Sequence, residues 1–241
     1  MRDSRRLRPG MIYLGAFAFG LLASSAWGAS PDAERADQLI RQAMELDRRP
    51  QRGGELYARH CASCHGPQAH GDVERFIPAL AAQRQAYLVK QLADFAELQR
   101  DARTMHDVVS RPELNDPQAW ADLAAWLNAQ PPAQVTQTGQ GSGVALGEAI
   151  FREQCASCHD EDARGDDDGF APSLRNQHYA YLVRQMHALG GWRRLHADPE
   201  LVRFLDSLDA QEREGLADYL SRVRGPIRDR ARMHQDGTVG D

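Results

Sequence analysis

Apolar residues in this chain recur at helical spacing, and no stretch shows the strict alternation of a half-buried strand. Between Asp32 and Asp47, the residues Ala36, Leu39, Ile40, Ala43 and Met44 mark one face of a helix that Arg48-Arg49-Pro50 ends. A second helix starts near Gly53-Gly54 and carries Leu56 and Tyr57. Leu88, Leu92 and Phe95 line one side of a helix from Gln85 to Leu98, and Thr104 to Val109 reads as a short turn or helix. Pro117 opens another helix, Gln118 to Asn128, with Trp120, Leu123, Ala124 and Leu127 on one face. Pro131-Pro132 stops it, and Ala133 to Gly143 has no apolar pattern, as expected of a linker. The pattern resumes near Val144 with Ile150 and Phe151, then breaks for a loop from Glu161 to Pro172. Helices follow from Tyr179 to Leu189 and from Gln211 to Val223, the last carrying Leu216, Tyr219 and Leu220 before Gly225-Pro226 closes it. The expected fold is all-α.

The second half of that pattern repeats the first. At a fixed offset of 94, residues 57–91 and 151–185 are identical at 17 of 35 positions, among them Gly71/Gly165, Phe76/Phe170, Pro78/Pro172, Leu80/Leu174, Gln83/Gln177 and Gln91/Gln185. Duplication of one domain is the direct reading. It divides the chain into residues 29–130 (a first domain with an extra N-terminal helix), a linker over 131–143, a second domain over 144–225 and a charged tail over 226–241. Each half is small for a purely apolar core, so a bound group that completes the core is expected.

The repeat includes all four cysteines of the chain, in two identical runs: Cys61-Ala62-Ser63-Cys64-His65 and Cys155-Ala156-Ser157-Cys158-His159. C-x-x-C-H is the attachment signature of a c-type haem. On a helix, residues three apart share a face, so both thiols reach the two vinyl groups of one haem and the next histidine can bind the iron. Half of a zinc site and a redox-active dithiol are the competing readings of each run. Two copies in matching context favour two covalently attached haem c groups, held by Cys61, Cys64, Cys155 and Cys158, with His65 and His159 as metal ligands.

Export fits this chemistry. Arg2, Arg5, Arg6 and Arg8 precede an apolar run from Met11 to Leu22, and Ala26-Trp27-Gly28 offers a small-x-small cleavage site, so residues 1–28 read as a signal peptide. A retained anchor is the alternative, although the apolar run is short for a span. Haem is joined to reduced thiols outside the cytoplasm, and no cysteine is left for a disulfide. Residues 1–28 carry four arginines and one aspartate, so their removal takes the net charge from −5 to about −8. An acidic chain without a basic aromatic patch argues against nucleic acid and is compatible with docking to a basic protein surface. The acids Glu161, Asp162 and Asp166-Asp167-Asp168 read as a solvated loop, and His60, His70, His178 and His187 as solvent-facing.

A helix, C-x-x-C-H, a P-x-L loop, a Y-L-x-x-Q helix and a closing L-A-x-[WY]-L helix, all in duplicate over residues 50 to 224, resemble dihaem class I cytochromes c of the cytochrome c4 type. The resemblance implies two tandem all-α haem domains in the periplasm, with association at the face of the inner membrane left open. It implies single-electron transfer between redox partner proteins, a donor and a terminal oxidase or reductase, by a carrier rather than a catalyst. It also implies that the carbonyl of Pro78 or Pro172 hydrogen-bonds the ring of His65 or His159. In the first domain the family pattern expects a methionine where Met105 stands, with His106 as a rival ligand. In the second domain that position is Pro199, and His196 is the expected sixth ligand, with Met186 or an open iron as alternatives. The missing methionine keeps open a different function, a dihaem oxidoreductase resembling thiosulfate dehydrogenases or peroxidases, with the second haem as its reaction site.

Overall fold

The computed structural model describes residues 30–134 and 136–225. The proposed signal peptide and the tail from residue 226 lie outside the described residues. Eleven α-helices are described: α1 (Pro31–Glu45), α2 (Pro50–His60), α3 (Ala62–His65), α4 (Gln85–Ala96), α5 (Arg103–Val109), α6 (Pro117–Ala129), α7 (Val144–Ile150), α8 (Ala156–His159), α9 (Tyr179–Gly190), α10 (Pro199–Ser207) and α11 (Ala210–Arg222). A π-helical turn, Phe151–Cys155, joins α7 to α8. Helix starts follow local chemistry: proline is at the first position of α1, α6 and α10, behind the capping side chains of Ser30, Asp116 and Asp198.

Each half has its own core. The first gathers Leu56, Tyr57, Leu88, Val89, Trp120, Leu123 and Leu127, and the second Phe151, Leu182, Met186, Leu205, Leu216 and Leu220. In each, the helix leading into the cysteine motif crosses the last helix of that half at van der Waals closeness. A Cβ on Gly53 would lie 2.0 Å from the Asp122 carbonyl oxygen, and one on Gly147 would lie 2.0 Å from that of Gly215. Gly53→Ala therefore forces α2 off α6 and is expected to cost about 1–3 kcal/mol, read as a lowered denaturant midpoint with unchanged slope. Beside the crossing, Tyr57 stacks on Trp126 with ring centroids 4.5 Å apart, and its hydroxyl donates to the Gly66 carbonyl just after the first motif.

The halves meet through a contact that nearly repeats itself with roles exchanged. Arg100 and Arg194, 94 residues apart, form an isolated antiparallel bridge. The Arg100 guanidinium donates across the seam to the Tyr181 hydroxyl (2.9 Å) and Gln185 Oε1 (2.7 Å). That of Arg194 donates the other way, to the Tyr87 hydroxyl (3.2 Å) and Gln91 Oε1 (2.7 Å).

Several residues read as solvated lie in this seam instead. His178 is 4 % exposed, and its Nε2 donates to the His70 carbonyl at 2.9 Å. Asp167 accepts from the Ala86 N–H at 2.9 Å, so a carboxylate from the second half caps the start of α4. Nothing in their local sequence distinguished these residues, because their partners lie 81 or more positions away.

Candidate haem-binding site

Both cysteine motifs fold alike. The first cysteine of each takes φ −118° and ends the preceding helical segment, and the next four residues form a single helical turn (α3 or α8). The His65 N–H donates to the Cys61 carbonyl at 2.9 Å, which brings the histidine under the cysteine pair. The chain then reverses through a left-handed residue, Gly66 (φ 78°) or Asp160 (φ 69°). Isolated bridges, Asp72 to Ile77 and Asp166 to Ala171, close the loop that follows and present a proline carbonyl to the histidine. His65 Nδ1 donates to the Pro78 oxygen at 3.2 Å, and His159 Nδ1 to the Pro172 oxygen at 3.0 Å. In both rings Nε2 has no hydrogen-bond partner among the described residues.

The electrostatics suit neutral groups. Burial pushes the Cys61 thiol up to about 12 and the Cys155 thiol up to about 11. Burial also holds both histidines below the usual imidazole range, against the opposing pull of their proline carbonyls. Among the described residues no group of three or more His, Cys, Asp or Glu converges as a metal cage would. Cys61, Ala62 and Leu80 pack against the first core, and Cys155, Ala156 and Leu174 against the second. Two thiols on one turn, an imidazole with a free Nε2, and an apolar wall fit a covalently attached haem.

The residues expected on the far side of each iron fare differently. Met105 lies half-buried on α5, which packs on α4. His106, its rival, donates from Nδ1 to the Phe95 carbonyl at 2.9 Å. Pro199, at the matching position of the second half, has become the first residue of α10, with the Asp198 side chain capping Glu200 N–H at 2.7 Å. This helix is not among those expected from the apolar pattern. It places Val202 and Leu205 in the second core, with Leu201 and Phe204 packed against it.

His196, the expected sixth ligand of the second half, lies in the seam. Its Nδ1 lies 2.7 Å from Asp94 of α4, and its Nε2 lies 3.2 Å from Asp37 of α1. Lys90 Nζ donates to its carbonyl at 2.8 Å. Both ring nitrogens lie beside carboxylates of the first half. Asp94 is a contact 102 positions away that local pattern could not suggest. Met186, the other alternative, is 7 % exposed within the second core, at the position that Leu92 holds in the first half.

The family model described as Cytochrome c matches residues 50–130 and 144–224, one copy in each half. Cytochrome c4 of Thiocapsa roseopersicina is 31% identical over 182 residues, which cover 71% of this chain and 91% of that protein. The "Thiosulfate dehydrogenase electron acceptor" of Stutzerimonas stutzeri is 29% identical, over 72% of this chain and 83% of that protein. Among solved structures, reduced recombinant cytochrome c4 from Pseudomonas stutzeri superposes with a TM-score of 0.64 at 24% identity, covering 74% of this chain and all of that one. At that identity the superposition speaks for the fold: all-α, with two tandem domains.

Proposed function

The chain belongs to the cytochrome c family, and from that premise we propose that it is a dihaem electron carrier whose two haem groups sit on chemically unequal sites. Cys61, Cys64 and His65 would hold the first, and Cys155, Cys158 and His159 would hold the second. A bound haem supplies a one-electron couple at its iron. The chain's own residues keep that couple ready. The Pro78 and Pro172 carbonyls fix ring orientation and tautomer at His65 and His159, so little reorganises when charge arrives. The apolar cores exclude water, and Met105 offers a soft thioether to the first iron that favours its reduced state. Pro199 carries no ligating side-chain atom, so the second iron would have a different environment and a different potential. Electrons then have a direction through the protein, from one redox partner protein to another. Export by residues 1–28 would put this traffic outside the cytoplasm, and no described helix is long and apolar enough to cross a membrane.

The observation that carries this reading is the pair of His–Pro carbonyl contacts behind two identical cysteine motifs. Mass spectrometry and potentiometry of the purified protein test it. The expected result is a mass increase of two haems and two separable one-electron steps. A chain without covalent haem overturns it. A high-spin ferric signal that turns over peroxide or thiosulfate would make the protein an enzyme rather than a carrier.

A further inference from the structure

The loop behind each motif histidine is gripped from the opposite half. Gln177 Oε1 accepts from the Ala79 N–H at 3.1 Å, and its Nε2 donates to the Ala79 carbonyl at 2.9 Å. Reciprocally, Gln83 Oε1 accepts from the Ser173 N–H at 2.7 Å, and its Nε2 donates to the Ser173 carbonyl at 2.9 Å. Ala79 and Ser173 are equivalent residues of the repeat, and each directly follows the proline whose carbonyl receives a histidine. Each glutamine is oriented by a second acceptance at Oε1, from the His178 N–H (3.0 Å) or the Arg84 N–H (2.9 Å). Six bonds to backbone groups of fixed polarity, three for each glutamine, leave no ambiguity about which end of each side chain is oxygen. Gln177 and Ala79 are both buried, at 7 % and 6 % exposure.

One amide therefore carries two bonds. The peptide unit between Pro78 and Ala79 receives His65 Nδ1–H on its oxygen and gives its N–H to Gln177. The unit between Pro172 and Ser173 does the same with His159 and Gln83. Amide resonance couples the two ends: an acceptor on the N–H draws electron density onto the oxygen, which strengthens its own hydrogen bond. A stronger acceptor behind Nδ1 makes Nε2 a more basic ligand, and a more basic ligand stabilises ferric over ferrous iron.

We propose that Gln177 and Gln83 are crossed positioning residues: Gln177 of the second half sets the basicity of His65, and Gln83 of the first half sets that of His159. This rests on the reading of both histidines as axial ligands. Each haem's potential is then adjusted by the half that does not contain it, and docking of the halves is part of the redox tuning. A chain whose halves separated would carry both couples at higher potential.

Gln177→Met and Gln83→Met test this in the complete haem-loaded protein, because methionine keeps the side-chain volume and removes both hydrogen bonds. The two midpoint potentials are measured, with the Nδ1–H resonances of His65 and His159 assigned by NMR to say which haem is which. Gln177→Met is expected to raise the first haem's potential, shift the His65 resonance upfield and leave the second haem unmoved. Gln83→Met is expected to do the same to the second haem and His159. If either variant binds haem poorly, Gln→Ala at the same site, with a cavity in place of the side chain, is read by the same two measurements. A lowered melting temperature with both potentials and both resonances unchanged overturns the proposal, since the glutamines then only hold the halves together. A shift in the glutamine's own half overturns it as well. Absence of covalent haem in the unmodified protein defeats the functional reading first and this inference with it, whereas two haems without the crossed pattern defeat this inference alone.

Discussion

Replacing Cys155 and Cys158 together by alanine is expected to yield a protein with one haem per chain, half the absorbance in the visible bands and one step left in the potentiometric titration. The physical reason is the separation of the two cores. Neither Cys155 nor Cys158 touches the cluster around Trp120 and Tyr57, so the first half keeps its covalent attachment and its spectrum. The second half loses more than a cofactor. It is about the size at which a domain buries too little surface to be secure alone, and a bound haem would supply part of its core. Its melting transition should therefore separate from that of the first half and move to lower temperature, which differential scanning calorimetry resolves. A variant that retained two haems would show that His159 and the apolar wall hold the group without thioether bonds. The thiol assignment would then be wrong. Cys61→Ala with Cys64→Ala is the mirror experiment, and it should leave the second haem in place.

Much of this was legible in the chain because duplication wrote it twice. The 17 identities in 35 positions put the cysteines, the prolines and both glutamines at matching places, and periodicity located the long helices to within a few residues at either end. Helix α10 was legible in principle. Asp198-Pro199-Glu200 is a cap followed by a first-turn proline, and Leu201, Val202 and Leu205 have helical spacing. The expectation of an axial ligand in this stretch outweighed that signal. The place of His196 was not legible at all. Its ring is fixed by Asp94 and Asp37, carboxylates on two helices of the other half, and no local pattern reports on a partner about 100 residues or more away. Gln83 and Gln177 lie between these cases. Their identity at the repeat offset was visible, but their reach across the seam became visible only with both halves in place.

The contacts that hold His196 also tie the extra N-terminal helix to both halves. Arg35 of α1 pairs with Glu97 at 3.1 Å, and Asp37 of the same helix reaches His196 at 3.2 Å. Residues 31–45 lie outside the stretches that match the family model, so this clasp is an addition to the duplicated core. It braces the same seam that carries Arg100, Arg194 and the two glutamines. The seam therefore connects helix packing to haem environment, since the loops it fixes are those behind His65 and His159.

Met105→Ala is expected to turn the first iron high-spin in its ferric form, abolish the sulfur-to-iron charge-transfer band and lower the potential of that haem. Axial ligands span about 0.8 V across haem proteins, so loss of a thioether should move the couple by on the order of 0.1 V or more. The sign follows from ligand softness: a thioether stabilises ferrous iron, and a water in its place favours ferric. The second haem supplies the control within the same molecule. Its half has Pro199 where the first has Met105, with His196 held by two carboxylates, so its spectrum should not respond to the substitution. His196→Ala extends the argument. The variant is expected to keep the second haem's spin state and lose only the bridge to Asp94 and Asp37, which shows as easier separation of the halves in denaturant. A second haem that turned high-spin in His196→Ala would mean instead that this ring binds the second iron.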